Sequence, residues 1–178
     1  MHDVADPAPS RPGRAPVTAV PGDRDRSDGL EALYRDQYEP SVRLAHLLTG
    51  DRARAEELAQ DAFVRIAPRV TAIDNPAGYL RTVLVNLCRD DGRRTVRTRN
   101  LPTPPARTAP EPAIPQTATA VWAALQSLPE RQRVAVTLRY YLDLPDDEIA
   151  ELIGARRATV RSLVHRALAT LKEAIPHD

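Results

Sequence analysis

Between residues 96 and 116 the chain carries Pro102, Pro104, Pro105, Pro110, Pro112 and Pro115, with Arg97, Arg99 and Arg107 among them and almost no apolar residue able to pack. Proline locks φ at about −65° and has no amide proton to donate, so neither helix nor sheet propagates through such a run. The stretch reads as an extended, partly polyproline linker, reaching tens of ångströms at about 3 Å per residue. A basic linker inside a chain of 178 residues leaves two short blocks, each needing a core of its own. Both blocks are patterned for helices and neither carries a strand signal. The expected fold class is all-α: two small helical domains joined by a flexible, basic, Pro-rich linker.

Residues 1–27 hold Pro7, Pro9, Pro12, Pro16 and Pro21 with few large apolar residues, and are expected to form a disordered tail. The first block is expected to span 28–95. Leu33, Tyr34, Tyr38, Val42, Leu44, Leu47 and Leu48 make a largely apolar helix that Pro40 is expected to bend or break. Thr49-Gly50-Asp51 is a turn, and Asp51 is placed to cap the next helix. There Ala55, Leu58, Ala59, Ala62, Phe63 and Ile66 repeat at helical spacing, while Glu56, Glu57, Gln60 and Asp61 occupy the other face. Pro68 ends this helix and a loop, Arg69 to Asn75, follows. Asn75 then Pro76 is a helix start. The helix runs to about Arg94, with Leu80, Val83, Leu84, Leu87 and Cys88 inward and Arg81, Arg89 and Arg93 expected outside, Asn86 near their edge.

The second block is expected over 117–175. Val121, Trp122, Leu125 and Leu128 mark one helix; Val134, Leu138 and Tyr141 mark the inner face of another, with Arg131, Arg133 and Arg139 largely outward. Next, Ile149, Leu152 and Ile153 recur at helical spacing until Gly154, a basic turn passes through Arg156 and Arg157, and a second pattern runs Val160, Val164, Ala167, Leu168, Leu171. Two short helices around a glycine-containing turn are a helix-turn-helix. Its second helix enters the major groove and presents residues near its N-terminus to base edges. Here those would be Arg157, Thr159, Arg161, Ser162, His165 and Arg166, all off the apolar stripe.

A net charge of +1 provides no global field toward nucleic acid, so affinity must come from local clusters, and the cations are arginines apart from Lys172. Arginine suits bidentate contacts with bases and phosphates. One cysteine, Cys88, excludes an intrachain disulfide and a Cys-rich zinc site, and its place on an apolar stripe points to a buried hydrophobe. No apolar run approaches the roughly 20 residues of a membrane span, and the N-terminus lacks the apolar core of a signal peptide. The chain is therefore expected to be soluble and cytoplasmic, without direct membrane insertion.

Taken together, the blocks resemble regions 2 and 4 of the sigma-70 family, and the missing intervening domain resembles its small extracytoplasmic-function (ECF) members. The first block carries the resemblance at Leu30-Glu-Ala-Leu-Tyr34, Arg43-Leu-Ala45, Leu48-Thr-Gly-Asp51, Glu57-Leu-Ala-Gln-Asp-Ala-Phe63 and Gly78-Tyr-Leu-Arg81 through Val85-Asn86. The second carries it at Leu125-Gln-Ser-Leu-Pro-Glu130, Arg133, Leu138-Arg139, Glu148-Ile-Ala150, Gly154, Thr159-Val-Arg-Ser162 and Arg166-Ala167. The resemblance implies a promoter-specificity subunit that binds core RNA polymerase and promoter DNA and directs initiation. It implies core docking through Glu56, Glu57, Gln60 and Asp61. It implies minus-10 readout by Asp74, Asn75, Arg81, Asn86, Arg89 and Arg93, with an extruded base taken by the loop, and minus-35 readout by the arginine-lined helix. Asn75 could hydrogen-bond a base, cap its helix, or both. An anti-sigma protein is an implied further partner; no cofactor, metal or catalytic residue is implied.

Several positions depart from the family pattern. Asp90 and Asp91 interrupt a usually basic or neutral stretch, and Pro145 replaces a common capping Ser, although Asp146 and Asp147 still favour the helix dipole. Ala67-Pro68 stands in place of a Trp-containing segment, and Ala158 in place of Gly. Leu163 stands where Arg is usual, so either one DNA contact is lost with an apolar residue exposed, or Leu163 packs elsewhere. The strongest rival is a stand-alone helix-turn-helix regulator, which binds duplex DNA without polymerase but leaves the basic helix of the first block unexplained. A nucleic-acid enzyme would need to draw on Asp61, Asp90, Asp91, Asp146, Asp147 and Glu148, yet the chain has no Gly-rich phosphate loop, HExxH or Ser/His/Asp arrangement.

Overall fold

The computed structural model describes residues 21–98 and 116–174. The tail before residue 21 and the linker between 99 and 115 lie outside the described residues. Seven helices and no strand occur among the described residues. The first unit consists of α1 (Pro21–Thr49), α2 (Arg52–Ile66), a 3-10 segment (Ala67–Ala72) and α3 (Pro76–Thr98). The second consists of α4 (Gln116–Ser127), α5 (Glu130–Tyr140), α6 (Asp146–Ile153) and α7 (Arg157–Ala174).

Helix α1 starts at Pro21, seven residues before the expected start of the first block at 28. Its first position is a proline, which has no amide to leave unsatisfied. Residues 24–28 are exposed, so this part of the helix extends into solvent and not into the core. Pro40 does not end α1. The carbonyl that loses its partner belongs to Asp36, which is exposed, so water can take its place. The expected loop after α2 is largely the 3-10 segment, with Pro68 at its start and Val70 buried. Asp51 caps α2 as expected, its carboxylate accepting from the Arg54 amide at 3.0 Å.

The apolar stripes meet as the spacing predicts: Val42, Leu44, Ala45 and Leu48 of α1, the α2 residues from Ala55 to Ile66, and Leu80, Leu84, Val85, Leu87 and Cys88 of α3 are all buried. Two apolar residues expected inward are not covered. Tyr141 is exposed at the C-terminal end of α5, and Leu168 is half-exposed. Leu163 is 6% exposed and takes the inward place. Positions 160, 163, 164 and 167 form one face of α7, and Leu163 therefore settles as core, not as an exposed substitute for arginine.

The two units do not hang apart. One continuous core cluster runs from Leu44 and Leu84 in the first unit to Leu138, Ile149 and Leu163 in the second. The helix-end carbonyls of α1 are satisfied across this junction. Gln126 Nε2 donates to the Leu47 carbonyl at 3.1 Å and Arg133 Nε to the Leu48 carbonyl at 3.0 Å. A helix C-terminus leaves its last carbonyls without intrahelical partners, and here the second unit supplies them. Gly50, at φ 80°, turns the chain away. A Cβ there would stand 2.6 Å from Gln126 Oε1, so glycine serves both the left-handed turn and the close approach. The His46 and Trp122 rings lie 4.5 Å apart over the same junction.

Two buried groups give direct tests of this packing. Thr137 in α5 is buried and its hydroxyl has no hydrogen-bond partner. An unsatisfied buried hydroxyl costs about 1–3 kcal/mol, so Thr137→Val is expected to raise stability by about 1 kcal/mol, or about 2–4 °C in a thermal melt. Cys88 is the second. Burial, with the Asp91 charge adding to it, pushes its thiol up to about 12. The folded protein therefore keeps a proton that the unfolded chain sheds above about pH 9. Stability contributed by the neutral thiol is intact below that pH and is lost as pH rises toward 12. The stability advantage of wild type over Cys88→Ala should shrink by about 1.4 kcal/mol per pH unit across this window, measured by urea unfolding.

Candidate nucleic-acid interface

The helix-turn-helix forms where the sequence places it. Gly154 closes α6 at φ 60°, and its amide bonds back to the Ala150 and Glu151 carbonyls, a left-handed cap that glycine adopts without a Cβ penalty. Helix α7 then buries Val160, Leu163, Val164 and Ala167 and turns Arg157, Arg161, Ser162, His165 and Arg166 to solvent, with Thr159 half-buried. Arg166 Nε donates to the Ser162 carbonyl at 3.1 Å. Arg161 and Arg157 are both drawn toward Asp146 at the start of α6: Arg161 Nε donates to Asp146 Oδ2 at 3.0 Å, and Arg157 Nε lies 4.0 Å from the same oxygen. Arg139 of α5 donates to Asp146 Oδ1. The Asp146 side chain is only 11% exposed, against 63% for Arg161.

On the first unit, Asn75 caps α3 through Oδ1, which accepts from the Gly78 amide at 2.9 Å. Its amide nitrogen sits so close over the helix start that a Cβ at Gly78 would meet it at 2.6 Å. Asp74 is exposed beside it. Between this loop and α1 is a cavity of about 350 Å³, lined by Leu33, Gln37, Val70, Thr71, Asp74 and Asn75. Asn86 and Arg93 face solvent, and Arg81 is half-buried.

Arg89 is not on the outer face that its spacing suggests. Its Nη1 donates to the Leu152 carbonyl of α6 at 3.4 Å, and burial, reinforced by Arg93, lowers its pKa from the ordinary arginine value. Arg81 shares a cleft of about 280 Å³ with Asn75, Glu148, Glu151 and Leu152. Part of the surface expected to read the minus-10 element is thus covered by an acidic helix of the other unit. Asp90 and Asp91 prove to be structural. Asp90 pairs with Arg93, whose hydrogen bond, with its charge adding to it, holds the carboxyl below the usual range. Asp91 accepts from Arg54 Nη2 at 2.6 Å and ties α3 to α2.

On the exposed side of α2, Glu57, Gln60 and Asp61 face solvent, and Glu56 is half-buried. Glu56 pairs with Arg52 at 3.1 Å and Glu57 with Arg54 at 2.5 Å, so part of the acidic face is neutralised within its own helix. Val64, 71% exposed, completes the stripe at the next turn. Its place on this face is legible in the spacing, since positions 57, 60, 61 and 64 are the i, i+3, i+4, i+7 set of one helix face; as an apolar residue among acids it stands out less than Glu56, Glu57, Gln60 and Asp61. The Asp146 cluster had no comparable signal, since its arginines come from two other helices, α5 and α7.

An all-helical chain that packs one face of a helix-turn-helix and turns a row of arginines outward on the other, beside a second unit with a capped loop over a cavity, has the form of a two-part DNA reader. Residues 33–98 match the family described as Sigma-70 region 2, and residues 118–171 match Sigma-70, region 4. The ECF RNA polymerase sigma factor SigE of Mycolicibacterium smegmatis is 30% identical, the alignment covering 96% of this chain and 70% of that one. The RNA polymerase sigma-E factor of Streptomyces coelicolor is also 30% identical, with 81% and 84% covered. Among solved structures, the Bartonella quintana sigma factor RpoE, crystallised with the anti-sigma factor NepR, shares the fold at a TM-score of 0.61 and 22% identity, covering 86% of this chain and 95% of that one. The Mycobacterium tuberculosis extracytoplasmic function sigma factor SigJ aligns at a TM-score of 0.55 and 27% identity, over 82% of this chain and 53% of that one. The chain belongs to the sigma-70 family, in its ECF group. It is a promoter-specificity subunit of RNA polymerase, regulatory in role, whose partners are core polymerase and promoter DNA. The stand-alone regulator is not favoured. No helix among the described residues is long and apolar enough to cross a membrane.

Proposed function

We propose that this chain divides the promoter between its units: residues 28–95 dock on core polymerase and read minus-10, the 96–116 segment links, and residues 117–175 read minus-35. The observation that carries this reading is the two-sided α7, apolar positions buried and Arg157, Arg161, Ser162, His165 and Arg166 all exposed. Asp74 and Asn75 border a cavity of about 350 Å³, room enough for an extruded base. Unstacking that base costs a few kcal/mol, and a preformed recess beside a fixed Asn offsets part of the cost. Glu56, Glu57, Gln60 and Asp61 form the docking face, with Val64 as its apolar centre. The chain acts in the cytoplasm, with no catalytic residue and no cofactor of its own.

This division requires the units to part. Elements named for positions 35 and 10 lie about 25 base pairs apart, or roughly 85 Å along B-DNA at about 3.4 Å per pair. In the packed arrangement Arg89 donates to the Leu152 carbonyl and Arg81 shares a cleft with Glu148 and Glu151, so part of the minus-10 surface stays covered until the units part. Core polymerase, by taking α2, would favour the separated form; an anti-sigma protein, a kind of partner the Bartonella protein has in NepR, would favour a form whose reading faces are kept from DNA.

Run-off transcription with sigma-free core polymerase and a pool of genomic promoters tests the reading. Transcripts sharing two spaced motifs are expected; Arg161→Ala should change the upstream motif and Asn75→Ala the downstream one, each by about tenfold in preference. Tight duplex binding by the chain alone, with no transcript, would overturn it.

A further inference from the structure

We infer that Asp146 is a positioning residue for minus-35 recognition, acting through Arg161, an assignment that rests on α7 being the minus-35 reader. An acid at a helix start is ordinarily explained by the helix dipole, and Asp147 and Glu148, both exposed, fill that role here. Asp146 is different. Its side chain is 11% exposed and its two oxygens are shared among Arg139, Arg157 and Arg161, from α5 and α7. The dipole requires none of these contacts.

The geometry divides the labour between the two oxygens. Oδ1 takes Arg139, which is itself largely covered at 29% exposure, and this bond fixes the carboxylate. Oδ2 takes the Nε of Arg161, whose side chain remains 63% exposed. A guanidinium carries five N–H donors in a rigid plane. Holding it by Nε leaves the two terminal nitrogens as an oriented fork, the pair that matches the O6 and N7 acceptors of guanine in the major groove. Three guanidiniums around one carboxylate leave the cluster cationic, so phosphate attraction is kept while one arginine is aimed. A long side chain that is already held loses less freedom on binding. Asp146 thus sharpens the choice of base more than it strengthens attachment to DNA.

The test is a minus-35 library, randomised and transcribed by holoenzyme carrying wild type, Asp146→Asn, Arg161→Ala, the double variant or Asp147→Asn, with transcripts sequenced. Asp146→Asn should lose on the order of tenfold discrimination at the same base pair as Arg161→Ala, with the minus-10 preference unchanged. The double variant should be no flatter than Arg161→Ala alone, and Asp147→Asn should match wild type. A uniform fall across all sequences with Asp146→Asn, or further flattening in the double variant, assigns Asp146 to stability alone and overturns the inference. Loss of folding in Asp146→Asn, seen in a thermal melt, passes the test to Asp146→Glu, which keeps the charge but moves the anchor and should flatten the same position; unchanged preference there overturns the inference. If Arg161→Ala leaves the minus-35 preference intact, the α7 reading itself fails, a result distinct from failure of Asp146 alone.

Discussion

Asp61→Arg combined with Val64→Glu should reduce holoenzyme formation on the order of 100-fold, with little change in the fold. Both side chains are exposed on α2, and Val64 is 71% exposed, so the cost of substitution falls on association rather than on packing. Glu56 and Glu57 are poorer choices, because each already pairs with an arginine of its own helix and reversal would set cation against cation within the chain. Juxtaposing like charges across an interface costs several kcal/mol, and about 1.4 kcal/mol is tenfold in affinity. Burying a charged Glu where the partner expects an apolar side chain adds to that. Titration of labelled core polymerase with the variant checks the affinity, and circular dichroism checks the fold. Undiminished binding would move the docking surface off α2.

Arg133→Ala is expected to loosen the junction between the units and shift the free protein toward an extended form. Arg133 donates to the Leu48 carbonyl of α1 and to the Gln126 and Leu128 carbonyls of its own unit. Hydrogen bonds involving a charged partner are worth about 1.5–3 kcal/mol; loss of the crossing bond alone shifts the packed-to-open ratio on the order of 10- to 100-fold. Small-angle scattering should show a larger radius of gyration, and a fluorophore pair on exposed positions 43 and 169 should lose transfer efficiency. Because opening frees the surface around Arg89 and Arg81, promoter binding at limiting core polymerase should rise, provided the helices stay folded. An unchanged radius would mean that the shared apolar cluster holds the units together without Arg133.

What could be read from the sequence was local. Asp51 and Asn75 accept amide protons from residues three positions on, so their capping roles are written within a few residues. The α2 stripe from Ala55 to Ile66 and the Gly154 turn are equally short-range, since a period of 3.6 or a left-handed cap involves neighbours only. Misplaced or undecided positions gathered where a side chain had two acceptable faces. Leu163 and Leu168 both flank the α7 stripe, and only the angle at which α7 meets α4 and α5 decides which is covered. Tyr141 lies past the end of α5, where helical periodicity no longer dictates direction.

The sequence by itself determined that the chain is helical and that its last helices form a helix-turn-helix with arginines opposite the apolar stripe. It also carried enough motif to show its family resemblance. Only the tertiary structure decided that α1 ends against Gln126 and Arg133, that Arg89 turns to Leu152, and that Asp146 gathers arginines from α5 and α7. Each of these is a contact between residues far apart in the chain or on different helices. Helical pattern reports which side of a helix is wet; it does not report which other helix arrives there, because that depends on how whole cores fit together and on carbonyls that carry no sequence signature.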